Sequence, residues 1–163
     1  MKNTPSVRND TYFISIAIDL AREGMRANIG GPFGAIVVKD QEIVGRGQNQ
    51  VTSSHDPTAH AEVVAIRDAC RKLDTFELNG CVIYTSCEPC PMCLGAIYWA
   101  RIDRVVFAAT RHDAAQANFD DEWLYQEIPL TWETRTIDYQ QVGWNEAIRL
   151  FDEWKAKPNK TLY

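Results

Sequence analysis

The chain has no apolar run approaching the roughly 18 residues that a membrane-spanning helix requires. Its first ten residues are polar and lack the apolar core of a secretion signal. From these absences we expect a cytoplasmic protein that makes no membrane contact. Because thiols stay reduced in that compartment, the five cysteines are better suited to metal binding or catalysis than to disulfides.

The chain also lacks basic clusters, internal repeats and linker-like segments. Its 22 acidic and 17 basic side chains give a net charge of −5, which repels a phosphate backbone at long range and disfavours a nucleic-acid partner. The 163 residues, 45% of them hydrophobic, suit one globular domain. We therefore expect a single domain over 1–163, with 157–163 as a C-terminal tail.

Strand-like and helix-like patterns alternate along the chain. Apolar residues spaced by three or four predict a first helix capped by Asp10 or Thr11. Proline in the first turn predicts two more helices, opening at Asp56-Pro57 and at Pro91, with Trp99 on the buried face of the second of these. Further helices are predicted over 120–127 and 145–155, and strands over 33–39, 42–48, 81–85, 104–109 and 135–142. This alternation favours an α/β/α layered domain.

Two short motifs carry most of the chemical information. His60-Ala61-Glu62 precedes Pro89-Cys90-Pro91-Met92-Cys93, and each motif lies near a predicted helix beginning, where partial positive charge favours thiolate over thiol. Zinc accepts imidazole and thiolate ligands, and a catalytic zinc typically has three protein ligands with water in the fourth position. His60, Cys90 and Cys93 supply that set. The sequence therefore predicts one Zn²⁺ per chain.

Glu62 is the predicted catalytic residue. It follows His60 by two positions, so it can reach a water molecule on the metal without being a ligand. Zinc lowers the pKa of such a water, and a carboxylate beside it can take the proton and pass it to a ring nitrogen and then to a departing amine. Together these roles describe hydrolytic deamination.

Two other interpretations of the same residues stay open. Cys87 or His55 could be a fourth ligand and close the site as a structural zinc module. Alternatively, Cys87 and Cys90 form a C-x-x-C pair that could act in redox chemistry, although His60 and Glu62 would then have no role. We expect Cys87 to pack beside the metal site.

The combined pattern of H-x-E followed by P-C-x-x-C is the signature of zinc deaminases. With it, the chain resembles the cytidine and deoxycytidylate deaminase superfamily, which implies a three-layer α/β/α fold with a central mixed sheet. The segments 30–35, 56–62, 85–100, 119–121 and 159–163, together with Asn49, resemble bacterial guanine deaminases over nearly the whole chain. The chain is similar also to plant guanosine deaminases and, less closely, to tRNA adenosine deaminases.

The resemblance to guanine deaminases implies hydrolysis of guanine to xanthine and ammonia, with attack at C2. It implies a substrate-binding set in which one phenylalanine stacks on the base, one asparagine and one aspartate bond to it, and the terminal tyrosine of a partner subunit closes the pocket. It thus implies a domain-swapped homodimer. The residues that match are Phe33, Asn49, Ala61, Asp121 and Tyr163.

The substrate is narrowed further by hydrogen-bonding chemistry at Asp121. Guanine presents adjacent N–H donors and an amine, which an anionic acceptor matches. Adenine and cytosine present a ring acceptor beside their amine, which an ionised carboxylate repels. Guanosine deamination and tRNA adenosine deamination remain the alternative activities, and the acidic, aromatic segment 118–121 argues against an RNA path close to the pocket.

Overall fold

The computed structural model describes residues 8–163, and these divide into two units that meet in the sequence after Asp121. Residues 1–7, which make up most of the polar segment noted above, lie outside the described residues. From residue 8 onward, no helix combines the length and apolar character that crossing a membrane requires.

A four-stranded sheet forms the centre of the first unit. Its strands are β1 (Gly34–Lys39), β2 (Glu42–Gln48), β3 (Cys81–Cys87) and β4 (Arg104–Ala109), in the spatial order β2-β1-β3-β4. The β1 strand pairs antiparallel with β2 and β3, whereas β3 and β4 are parallel, so the sheet is mixed. The strands predicted over 33–39 and 42–48 are confirmed to within one residue, and the strand predicted over 81–85 continues to Cys87.

Helices cover both faces of this sheet. Alternate residues of β1 point to opposite faces, so Ala35 and Val37 join one apolar cluster while Ile36 and Val38 join the other. The first cluster packs against α3 (Ala61–Leu73) and α4 (Pro91–Trp99), and the second packs against Phe13 of α1 (Asp10–Arg26). The three-layer α/β/α architecture expected from the sequence is confirmed.

Helix beginnings differ in detail from the predictions. Asn9, rather than Asp10 or Thr11, caps α1, and its side chain accepts a hydrogen bond from the Tyr12 amide at 3.0 Å. The helix expected from Asp56-Pro57 begins at Ala61 instead. The Asp56 carboxylate accepts hydrogen bonds from Thr58 through the amide and the hydroxyl, which holds the intervening segment in a turn.

A glycine fixes how closely α3 approaches the sheet. A Cβ atom placed on Gly47 of β2 would lie 2.1 Å from the Ala61 carbonyl oxygen, so no larger residue fits without moving the helix. The first turn of α3, which carries His60 and Glu62, therefore lies directly against β2. Two short helices were not predicted: α2 (Val51–Ser54) and α5 (Arg111–Gln116).

The second unit, Glu122–Tyr163, consists of α6 (Glu122–Glu127), a 3₁₀ turn at Trp132–Thr134 and α7 (Trp144–Ala156). The two helices agree with the predictions to within two residues at each end. The strand predicted over 135–142 is wrong, since that stretch has no regular secondary structure. None of the residues in this unit is buried in the single chain.

Candidate metal centre and active site

The predicted metal ligands lie at the beginnings of two neighbouring helices. His60 is the residue immediately before α3, and Cys90 holds the same place before α4. Pro91 opens α4 because its fixed φ suits the first helical position, where its missing N–H costs nothing. Cys93 follows within the first turn of α4 and is fully buried. Two helix N-termini, each with partial positive charge, thus converge on the same three side chains.

The geometry of these three side chains suits a tetrahedral ion. His60 Nδ1 lies 3.6 Å from Cys90 Sγ and 3.5 Å from Cys93 Sγ, and all three ligand atoms lie within 4.8 Å of one another. With Zn–S of about 2.3 Å and Zn–N of about 2.0–2.1 Å, a tetrahedron separates sulfur from nitrogen by about 3.5 Å. The donor set and its spacing therefore fit zinc.

The two cysteines share one proton when no cation neutralises them. A hydrogen bond from the Cys93 thiol lowers the pKa of Cys90 to about 4, with a further contribution from His60. The same hydrogen bond, together with burial, raises the pKa of Cys93. A metal ion bound by both sulfurs would require both thiols to lose their protons.

Neither candidate for a fourth protein ligand joins this group. Within residues 8–163, the cluster contains His60, Cys90 and Cys93, without Cys87 or His55. Cys87 is buried beside the site, where its Sγ contacts the Thr110 carbonyl oxygen at 3.5 Å. Burial, and then the charge of Glu62, raises the pKa of Cys87 to about 11, so this residue is a thiol at neutral pH.

Glu62 lies in the first turn of α3, one residue inside the helix beginning, and is 8% exposed. Burial raises the pKa of its carboxyl group, and the nearby Cys90 sulfur adds to this effect. Its hydrogen bond with Cys93 brings the carboxyl group against the metal ligands without making it one of them. A buried carboxyl group with a raised pKa is suited to exchange protons near neutral pH.

Asn49 is buried at the end of β2, and its side chain is fixed in one orientation. The Oδ1 atom accepts hydrogen bonds from the amides of Gly31 and Val51, each at 3.2 Å. Because the oxygen is engaged in this way, the Nδ2 group is the part of the amide that can donate to a ligand. A Cβ atom on Gly30 would lie 2.2 Å from the Asn49 carbonyl oxygen, so the close approach of these segments requires glycine there.

Phe33 contacts the segment that ends in Asp121 through the ring of Phe119. The ring of Phe33 packs edge-on against Phe119, with centroids 4.9 Å apart, and a Cβ atom on Gly31 would contact both rings. Partial burial raises the pKa of the half-buried Asp121, and the Cys90 sulfur contributes, so this carboxylate lies within electrostatic range of the metal ligands. The contact of Phe119 with Phe33 was not predicted, because in the sequence Phe119 is marked only by its place in the segment 119–121.

The remaining predicted residues have different surroundings. The side chain of Ala61 lies in the apolar core, so its backbone N–H in the first turn of α3 is the group that could reach a ligand. Tyr163 belongs to the second unit and is 75% exposed. The expectation that Trp99 lies on a buried helix face is wrong, since it is 64% exposed.

Comparison with known proteins adds a family and individual relatives. The family model for the "Cytidine and deoxycytidylate deaminase zinc-binding region" matches residues 7–109. The chain is 54% identical to guanine deaminase of Bacillus subtilis over 155 residues, which span 95% of this chain and 99% of the relative. The crystal structure of that enzyme superposes with a TM-score of 0.93 and covers 96% of this chain.

Two more distant relatives differ in how far the match extends. A structure of guanine deaminase from Nitrosomonas europaea is 29% identical, with a TM-score of 0.65, and covers 95% of this chain and 90% of its own. A tRNA-specific adenosine deaminase of Aquifex aeolicus is 47% identical over 100 residues, which span 60% of this chain and 64% of the relative.

Proposed function

The chain belongs to the cytidine and deoxycytidylate deaminase family, and we propose that it hydrolyses guanine to xanthine and ammonia. The observation that carries the proposal is a buried carboxyl group, Glu62, beside three side chains, His60, Cys90 and Cys93, whose donor atoms and spacing fit zinc. The similarity to two guanine deaminases over nearly the whole chain selects the base.

His60, Cys90 and Cys93 would hold one zinc ion per chain, which when bound supplies a Lewis acid that makes water acidic enough to lose a proton near neutral pH. Glu62 accepts that proton. It then delivers the proton to a ring nitrogen as the water oxygen bonds to C2. Glu62 next takes the second proton from that oxygen and gives it to the exocyclic amine as the bond between C2 and the amine breaks. Water and guanine thus become xanthine and ammonia, and Glu62 returns to its starting state.

The base would be recognised by groups with complementary hydrogen-bonding capacity. The fixed Asn49 amide can donate through Nδ2 to an acceptor on the base, and the Ala61 N–H can do the same. Asp121 would accept from the adjacent N–H groups of guanine. Phe33 would stack on the ring, with Phe119 supporting it. Bases that lack these two adjacent N–H donors could not bond to Asp121 in this way, and we expect them not to be deaminated.

A single assay separates the candidate activities. Ammonia release should be measured with guanine, guanosine, adenine, cytidine and tRNA, on protein whose zinc content is also determined. We expect guanine to be the preferred substrate, with about one zinc per chain. Preference for guanosine or for tRNA would replace the proposed substrate, and absence of ammonia from every substrate would favour a structural zinc module.

We also propose that the protein acts as a homodimer in which the tail 157–163 of one chain closes the site of its partner through Tyr163. The support lies in the second unit, where large apolar side chains remain exposed in the single chain. These include Trp123, Val142, Trp144, Leu150, Phe151 and Leu162. Contiguous exposed apolar surface commonly marks a protein interface. The cytoplasmic location stays a prediction.

Subunit complementation tests the exchange of tails directly. One chain carries Glu62→Gln, and the other lacks residues 159–163, so neither should be fully active alone. In a mixed dimer, the site with an intact Glu62 would receive the intact tail of its partner, and activity should exceed the sum of the two parents. Activity equal to that sum, in mixed dimers verified by mass, would show that each tail serves its own chain.

A further inference from the structure

The segment that leads into Cys90 is joined to the beginning of α5 by three hydrogen bonds. The Glu88 amide donates to the Ala109 carbonyl oxygen at 2.8 Å, and Cys87 Sγ contacts the Thr110 carbonyl oxygen at 3.5 Å. The third bond uses a charged side chain, since the Arg111 amide donates to Glu88 Oε2 at 3.0 Å. Arg111 is the first residue of α5, so Glu88 satisfies one of the amides that a helix beginning leaves without a partner.

The position of α5 in turn sets the position of the residues that follow it. The Phe119 amide donates to the Ala114 carbonyl oxygen at 3.0 Å, which ties the segment after α5 back to the helix. Asn118 adopts a left-handed conformation, with φ of 66°, and turns the chain at this point. Phe119 then packs on Phe33, and Asp121 comes within electrostatic range of Cys90.

We propose that Glu88 is a positioning residue for base recognition, which holds α5 at a fixed distance from the metal ligands and so places Phe119 and Asp121 against the substrate. The inference rests on the proposed guanine deamination. Glu88 is suited to this role because it lies two residues before Cys90 in the chain and contacts the first residue of α5. A shift of α5 would move the recognition segment while leaving the three ligands in place.

The helix has a second, independent acidic cap that provides a matched control. Asp113 Oδ2 accepts hydrogen bonds from the Thr110 amide at 2.8 Å and from the Thr110 hydroxyl at 2.7 Å. Both contacts lie within α5 and its capping residue. Asp113→Ala therefore weakens the helix beginning without changing the contacts with the segment before Cys90. Glu88→Ala removes the one of those three contacts that reaches Arg111, the first residue of α5.

Steady-state kinetics with guanine should distinguish these roles. For Glu88→Ala we expect KM to rise about tenfold, the scale of losing one hydrogen bond to a charged acceptor, with kcat changed less than about threefold and zinc content unchanged. Glu88→Gln should restore the wild-type KM, because its carboxamide oxygen can accept the same hydrogen bond from Arg111. Asp113→Ala should change KM by less than about threefold.

A double-mutant cycle tests whether Glu88 acts through Asp121. If it does, Glu88→Ala should reduce kcat/KM much less in an Asp121→Ala background than in the wild type. Additive losses, a wild-type KM in Glu88→Ala, loss of zinc, or equal effects of Glu88→Ala and Asp113→Ala would each overturn the inference. A wild-type protein that does not deaminate guanine would instead overturn the proposed function itself.

Discussion

The two units of the chain differ in how they treat their apolar side chains. The first, ending at Asp121, buries apolar residues on both faces of its sheet. The second buries none in the single chain and is organised instead by short-range polar contacts. Arg135 donates to the carbonyl oxygens of Ile128 and Leu130, and Thr136 donates to Glu127 through its amide and hydroxyl. The first unit thus has a core of its own, whereas the second leaves its large apolar side chains exposed in the single chain.

The similarities to known proteins differ in how much of the chain they cover. The family model ends at residue 109, and the Aquifex aeolicus tRNA deaminase matches over 100 residues. Guanine deaminases match over 95% of the chain. The family model thus lies within the first unit, and we expect the stretch after residue 109, which includes Asp121 and the whole second unit, to contribute to substrate choice and assembly.

The largest effect should come from Glu62 in the first unit. Glu62→Gln removes proton transfer while keeping the shape of the side chain, so we expect kcat for guanine to fall about 10³-fold. Zinc content should stay at the wild-type value, since Glu62 is not among the three grouped ligands. Glu77→Gln, the same change at an exposed position, is the control and should leave kcat unaltered. Retained activity in Glu62→Gln would remove the proposed proton carrier.

The features of the fold and of the candidate site that could be predicted are those determined by residues close together in the sequence. The group of His60, Cys90 and Cys93, which could hold a metal ion, was predictable because the residue types and their spacing are themselves the signal. The helix at Pro91 was predicted for the same reason. The helix predicted to open at Asp56-Pro57 begins instead at Ala61, because Thr58 donates to the Asp56 carboxylate and holds the segment before the helix in a turn.

Other features depend on contacts between distant residues and left little trace in the sequence. The stretch 135–142 has the composition of a strand, but Arg135 binds nearby carbonyl oxygens and forms no strand pairing. The six-residue α5 is too short for a periodic pattern and is fixed by caps from Asp113 and Glu88. Trp99 was expected in the core but is exposed. Because α4 is apolar on several faces, the spacing of its apolar residues does not show which face packs against the sheet.

The next largest effect is expected at Asp121, the last residue of the first unit. Asp121→Ala should lower kcat/KM for guanine by about 100-fold or more, the scale on which a buried polar contact discriminates between substrates. Asp120→Ala removes the same charge from the neighbouring residue, which is exposed, and should lower kcat/KM for guanine less than about threefold. Equal kinetics for the wild type and Asp121→Ala would mean that this carboxylate does not bind the base and that other residues determine substrate choice.

A smaller effect should follow from shortening the second unit. Deleting residues 159–163 removes Tyr163 and also Lys160, whose Nζ donates to the Lys155 carbonyl oxygen at 2.7 Å at the end of α7. We expect kcat/KM for guanine to fall about tenfold, because an open pocket positions the base less well. Zinc content should be unchanged. Tyr163→Ala should reproduce most of the loss, and Thr161→Ala should not. Full activity of the shortened chain would mean that the tail is not a lid.

The smallest effect concerns stability and should be confined to the first unit. Burial raises the pKa of Glu62 above its usual 4.5, so the native state holds this proton more tightly than the unfolded state does. Below pH 4.5 the group is protonated in both states and has no effect on folding. As the pH rises from 4.5 through the native pKa, the unfolded state releases the proton before the native state does, so the wild type loses stability relative to a neutral side chain at this position. Glu62→Gln should therefore raise the Tm of chelator-treated protein by a few degrees at neutral pH, and this difference should shrink towards zero at pH 4.5. Calorimetry between pH 4.5 and neutral pH measures the Tm of both proteins. A Tm difference that does not change with pH would mean that packing at residue 62, rather than the buried charge, causes the difference.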